Sequence, residues 1–181
     1  MIIREKMERQ LGDAEGAAGV IREILLNESS IDQEKEHFWT IGVDAQNKPK
    51  FIDLVALGGL YSAVVFGREA FRLAVARGCR GVIFVHNHPS GSLKPSPMDL
   101  KITRTFSEAG RVLDIEVLDH IILGKGHCSI LGWGEPDKPK EENIRDILQL
   151  LQNNLSQLEV KVKRLSRIKK EKTKATEGGK A

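Results

Sequence analysis

Residues Gly81-Val82-Ile83-Phe84-Val85 form an unbroken apolar run that leads directly into His86-Asn87-His88-Pro89-Ser90-Gly91. A short run of β-branched and aromatic residues with no polar alternation reads as a strand buried on both faces. That reading constrains the fold, because helices or loops must cover each side of such a strand. The flanking segments supply helices. Arg68 to Ala76 places Ala70, Phe71, Ala74 and Val75 on one helical face, and Gly78 closes it. Ser96-Pro97-Met98-Asp99 opens a second helix that continues to about Ala109.

The rest of the chain alternates in the same manner. Residues 1–27 read as helical, with Val20, Ile21, Ile24 and Leu25 as the apolar face. Residues 28–35 are polar and connect. Residues 36–57 read as a β-hairpin turning through Asp44 to Pro49, and Ala63 to Phe66 as a short strand. Glu116 to Leu118 and His120 to Leu123 are strand-like. Gly124-Lys125-Gly126 turns the chain, and Cys128 to Leu131 follows as a strand. This alternation of strands and helices reads as an α/β or α+β sandwich, preceded by an N-terminal helical segment, 1–29.

The last segment differs. Ile144, Leu148, Leu151, Leu155, Leu158, Val162 and Leu165 repeat at alternating spacings of four and three, which is a heptad seam. It predicts a coiled-coil-like helix over 141–170, suited to a homodimer through residues 144–165 or to folding back on the domain. Residues 171–181 read as a basic disordered tail. Residues 159–181 hold nine basic and three acidic side chains, so the overall charge of +3 conceals a mildly acidic body and a basic end. That end is a candidate DNA-phosphate contact, against the blander reading of a solvated helix terminus.

Composition excludes other classes. Aromatics at 5% do not support a base-stacking surface. No apolar run approaches the roughly 18 residues of a membrane helix, and Met1 to Glu8 lacks a signal-peptide core. Cys79 and Cys128 have neither metal nor redox spacing. A cytoplasmic protein without membrane contact is the expectation.

His86 and His88 stand two apart at a strand end, so both imidazoles reach one side and one ion. Asp99 follows on the first turn of the next helix, after a loop with Pro89, Gly91 and Pro95. Two histidines, a carboxylate and a position left for water compose a catalytic zinc site, with water activated near neutral pH. Ser96 offers a hydroxyl to an oxyanion, and Glu36, at the first strand's start, offers a general base. Each has an ordinary alternative. A lone His-x-His is more often not a ligand pair, Ser-Pro-x-Asp is also a good helix start, and Glu36 alone reads as a solvated strand-end acid. The adjacent His-Asn-His does not match the HNH nuclease motif, whose three residues are widely separated.

The full string His86-x-His88-x7-Ser96-x2-Asp99 resembles the signature of the JAMM (MPN/JAB) metalloprotease-like domains. The wording His86-Asn87-His88-Pro89-Ser90-Gly91 is similar to the bacterial RadC family. Arg68-Glu69-Ala70-Phe71 and Leu118-Asp119-His120-Ile121-Ile122-Leu123-Gly124 extend the likeness, which covers about residues 30–134. The resemblance implies an α+β domain over residues 30–134 with a cytidine-deaminase-like JAMM/MPN fold, a mixed β-sheet flanked by helices, with Zn2+ held by His86, His88 and Asp99, Ser96 on the oxyanion side and Glu36 as acid/base. It also implies hydrolysis of peptide or isopeptide bonds in a protein or peptide substrate, and a link to DNA repair. The family's usual helix-hairpin-helix region has no counterpart beyond one short helix, so DNA binding by that route is not expected. The family often has Gly-Thr where Gly59-Leu60 stands. Asp119 and His120 have no assigned role; His120 either supports a metal ligand from behind or is an ordinary strand histidine.

The expectation is therefore a zinc-dependent hydrolase. The alternative is a DNA-associated accessory protein, or a nuclease using the same metal site.

Overall fold

The computed structural model describes residues 2–4, 10–58 and 65–134. In chain order these form β1 (Ile2–Arg4), α1 (Ala14–Leu26), α2 (Ser30–Gln33), β2 (His37–Val43) and β3 (Pro49–Leu57). They continue through α3 (Gly67–Ala76), β4 (Gly81–Asn87), α4 (Pro97–Val112), β5 (Glu116–Leu123) and β6 (His127–Ser129). The strands make one six-stranded sheet in the order β1-β3-β2-β4-β5-β6. It is mixed: β4 and β5 run parallel, joined by the α4 crossover, and the other pairs are antiparallel.

The apolar run lies in β4, one of the two central strands, as burial on both faces demands. All seven residues of β4 are buried, and its side chains alternate between two cores. Ile83 and Val85 pack with Trp39, Ile41 and the α1 residues Ala17, Ile21 and Ile24. Val82 and Phe84 pack on the other face with Phe38, Phe71 and Phe106. There the rings meet largely tilted or edge to face, with Phe84 and Phe106 centroids 5.2 Å apart. Gly42 is required for space. A Cβ on it would fall 2.1 Å from the Phe51 ring.

Four expectations are corrected. The N-terminal segment is not helical throughout: Ile2–Arg4 is a strand on β3, and the helix begins at Ala14. Asp13 starts it by accepting the Gly16 N–H at 2.8 Å, and Gly12 before it favours no earlier start. The helix packs into the sheet's core, so it is part of the same body. Val65 and Phe66 are not in a strand, and Phe66 instead precedes α3 as its N-cap; residues 63 and 64 lie outside the described residues. Glu116–Leu123 is one strand, whose register against β4 shifts between Val82 and Ile83, leaving Leu118 as a bulge. The last strand is His127–Ser129, ending before Leu131. The coiled-coil and basic-tail expectations, 141–170 and 171–181, lie outside the described residues. Among the described residues no helix is long and apolar enough to cross a membrane.

Candidate metal centre

The site forms where β4 ends against the start of α4. His86 continues the strand and is 2% exposed. His88 follows, its N–H still donating to the Leu123 carbonyl of β5 at 2.7 Å. The chain then turns sharply. Gly91 N–H donates to His88 O at 2.8 Å, and Gly91 has φ +77, in the left-handed region that favours glycine. The loop after β5 packs so closely that a Cβ on Gly124 would sit 2.6 Å from Gly91 O.

Asp99 arrives from α4 through a capping box. Asp99 N–H donates to Ser96 Oγ at 3.2 Å, and Ser96 N–H donates to Asp99 Oδ2 at 2.7 Å, with Pro97 at the first helical position. The cap holds the carboxylate against both histidines: Oδ1 is 3.3 Å from His86 Nε2, and Oδ2 is 3.4 Å from His88 Nε2. The two Nε2 atoms are 3.0 Å apart. A tetrahedral ion with nitrogen and oxygen donors at about 2.0–2.2 Å holds those donors about 3.3–3.5 Å from each other. The two Asp99–histidine distances, one to each carboxylate oxygen, fall at that spacing, the two Nε2 atoms lie somewhat closer, and the donor types are ones a metal ion takes. His88 Nδ1 faces the Ser92 carbonyl at 3.1 Å and donates there, so Nε2 is the nitrogen turned toward Asp99 and His86 and the one that can give up its proton to an ion.

The electrostatics agree with that convergence. Burial would push Asp99 up, but its bonds to His86 and His88 outweigh this and hold it well below the usual carboxylate range. The bond to Asp99 raises His88, against partial burial.

Glu36 lies across the site, in the residue before β2. It offers a carboxylate oxygen in a group with one nitrogen each from His86 and His88, all within 4.8 Å of one another. Its backbone is fixed on both sides by Asn87, the residue between the histidines. Asn87 Nδ2 donates to the Lys35 carbonyl at 2.9 Å, and Asn87 Oδ1 accepts the His37 N–H at 2.7 Å. Gly58 N–H donates to the Glu36 carbonyl at 2.8 Å. Glu36, Phe38, Val65, His86, Ser96 and Asp99 are among the residues lining a cavity of about 100 Å³. The structure thus brings all five expected site residues together. Ser96 serves as a cap, where its hydroxyl accepts, so its proton is not consumed by that bond.

The sequence reading assigned no chemistry to Asn87 and no role to Asp119, and for His120 it weighed support of a metal ligand from behind against an ordinary strand histidine. His120 lies behind His86, with its Nε2 2.8 Å from His86 Nδ1 and its Nδ1 2.6 Å from Thr103 Oγ1. Burial holds it well below the ordinary histidine value, so the ring is neutral. Asp119 belongs to the scaffold. It accepts from Ser129 Oγ at 2.6 Å, Leu131 N–H at 2.9 Å and its neighbour His120 N–H at 2.7 Å.

A family described as the RadC-like JAB domain matches residues 17–134. Among curated proteins, a UPF0758 protein of Syntrophomonas wolfei is 35% identical over 130 residues, covering 71% of this chain and 55% of that protein. One from Chloroflexus aggregans is 45% identical over 103 residues, 57% of this chain and 44% of its own. One from Chloroflexus aurantiacus is 47% identical over 109 residues, with coverages of 60% and 47%. The chain spans about half the length of the curated relatives it matches, and their names state no activity.

Proposed function

Because this chain belongs to the RadC-like JAB domain family, we propose that it is a zinc-dependent hydrolase acting on peptide or isopeptide bonds in a protein or peptide substrate. The observation that carries the reading is the meeting of His86, His88 and Asp99 donors at 3.0–3.4 Å, with the Glu36 carboxylate beside them.

His86 Nε2, His88 Nε2 and an Asp99 oxygen would hold the ion. Zinc, when bound, supplies a Lewis acid that polarises a carbonyl and makes water a nucleophile near neutral pH. Glu36 takes the proton from the attacking water and returns it to the departing nitrogen, the ordinary work of one carboxylate in two steps. Ser96 donates its hydroxyl proton to the oxygen that gains charge. Asp99 stays ionised throughout, as its depressed pKa requires.

The test is metal analysis of the purified protein coupled to a screen of peptide, isopeptide and phosphodiester substrates, with His88→Ala as control. Stoichiometric zinc and amide-bond hydrolysis, both lost in the variant, are expected. No stoichiometric zinc, or zinc retained in His88→Ala, overturns the metal assignment. Cleavage of phosphodiesters alone would replace the peptidase reading with a nuclease.

A further inference from the structure

We propose that Thr103 and His120 are positioning residues that decide which nitrogen of His86 faces the metal position. They do so through a hydrogen-bond chain whose direction is fixed at the backbone carbonyl of Asp99. The inference deepens the zinc reading and rests on it for its purpose, though not for its geometry.

The direction follows from the end that can only accept. Thr103 Oγ1 is 2.7 Å from the Asp99 carbonyl, one turn back in α4. A carbonyl has no proton, so the hydroxyl's single proton goes there. At its second contact, 2.6 Å from His120 Nδ1, the hydroxyl must therefore accept, and His120 Nδ1 carries the proton. The opposite assignment would set two acceptor oxygens 2.7 Å apart with no proton between them, inside a site where an unmade bond is costly. His120 is 1% exposed, with its ring nitrogens on Thr103 Oγ1 and His86 Nδ1 and neither on a carboxylate, so burial favours the neutral ring. A neutral imidazole protonated at Nδ1 has a bare Nε2. That Nε2 lies 2.8 Å from His86 Nδ1, so His86 Nδ1 donates to it. The lone pair of His86 is then left on Nε2, the atom that meets Asp99 and His88.

His88 reaches the same state by one step, through the Ser92 carbonyl. His86 needs three because its Nδ1 meets His120 Nε2, and the accepting carbonyl stands two bonds further on. Asp99 is thereby used twice: its carboxylate joins the donor set, and its carbonyl sets the orientation of a second member. Partners of this kind behind a ligating histidine typically change metal affinity by about 10- to 100-fold.

The experiment uses the full chain. First, imidazole nitrogens are assigned by 15N NMR in metal-free wild type. We expect His120 protonated at Nδ1 and bare at Nε2, the less common form of a neutral imidazole in water; a proton on His120 Nε2 overturns the proposal. Second, zinc affinity is measured by competition with a chromophoric chelator for wild type, Thr103→Val and Thr103→Ser. Thr103→Val should bind zinc about 10- to 100-fold more weakly, with Thr103→Ser restored to near wild type. Equal affinity of wild type and Thr103→Val overturns the proposal. If wild type itself does not bind zinc, the hydrolase reading fails, while the His120 nitrogens still decide the direction of the chain. The NMR measurement needs no variant, so a misfolded Thr103→Val does not weaken the test.

Discussion

The side-chain oxygen of Asn87 accepts the backbone N–H of His37 at 2.7 Å, across 50 positions of sequence. With its amide nitrogen on Lys35 O, Asn87 grips the peptide groups on either side of Glu36. The strand end that presents the two histidines thus also sets the position of the carboxylate opposite them.

Asn87→Ala should therefore separate metal binding from turnover. Zinc content should stay at wild-type level, and kcat should fall by about 100-fold, the scale of an ångström of misplacement. The His37 N–H left buried without its acceptor should also cost about 1–3 kcal/mol of stability. Metal analysis, steady-state kinetics and urea denaturation read the three quantities. Loss of zinc together with activity would show that Asn87 supports the histidines instead.

Glu36→Gln keeps the side chain's size and removes its basicity. We expect kcat to drop by about 10²- to 10⁴-fold with zinc retained. Full activity in this variant would place the base elsewhere.

The His88–Asp99 pair gives a pH signature in metal-free protein. His88 is raised by its bond to Asp99, so the pair's contribution is fully present below the unfolded-state value of about 6.5. It is lost as pH climbs through the higher folded value. The melting temperature of metal-free wild type should thus approach that of His88→Gln as pH is raised from about 6. A gap that widens with pH would contradict the pairing. Zinc affinity should move the other way, strengthening over the same range, because a protonated imidazole cannot ligate.

Gly42→Ala tests the packing beneath the site. Its new methyl would overlap the Phe51 ring at 2.1 Å, in a strand buried along its whole length. A loss of about 1–3 kcal/mol is expected from overpacking. A neutral effect in thermal denaturation would mean that Phe51 turns aside freely.

Local pattern made much of this architecture readable. The apolar run at 81–85, the hairpin, and the Ser96-Pro97 helix start all depend on neighbours a few residues apart, and they stand where pattern puts them. The approach of His86, His88 and Asp99 to one another was readable because the two histidines stand two apart where β4 ends and Asp99 is held by its own helix cap. The partnerships of Asn87 with His37 and of Thr103 with His120 were not. They join residues from different elements, and nothing in the local spacing of an asparagine or threonine announces a distant partner. Ile2–Arg4 escaped for a related reason, since three residues show no period and their strand character comes from pairing with β3.

The bulge at Leu118 accounts for the division of one strand into two in the sequence pattern. Before it, Val117 packs against the aromatic core; after it, Ile121 and Leu123 belong to the α1 core. Even and odd positions therefore exchange sides within a single strand. Counted in strict alternation from Leu118, His120 would fall on the α1 side, away from His86. The extra residue is a phase slip. It lets one strand begin in step with one core and end with an imidazole in the opposite layer, so a single-residue deletion there would change the sidedness of the site before it changed any side chain in it.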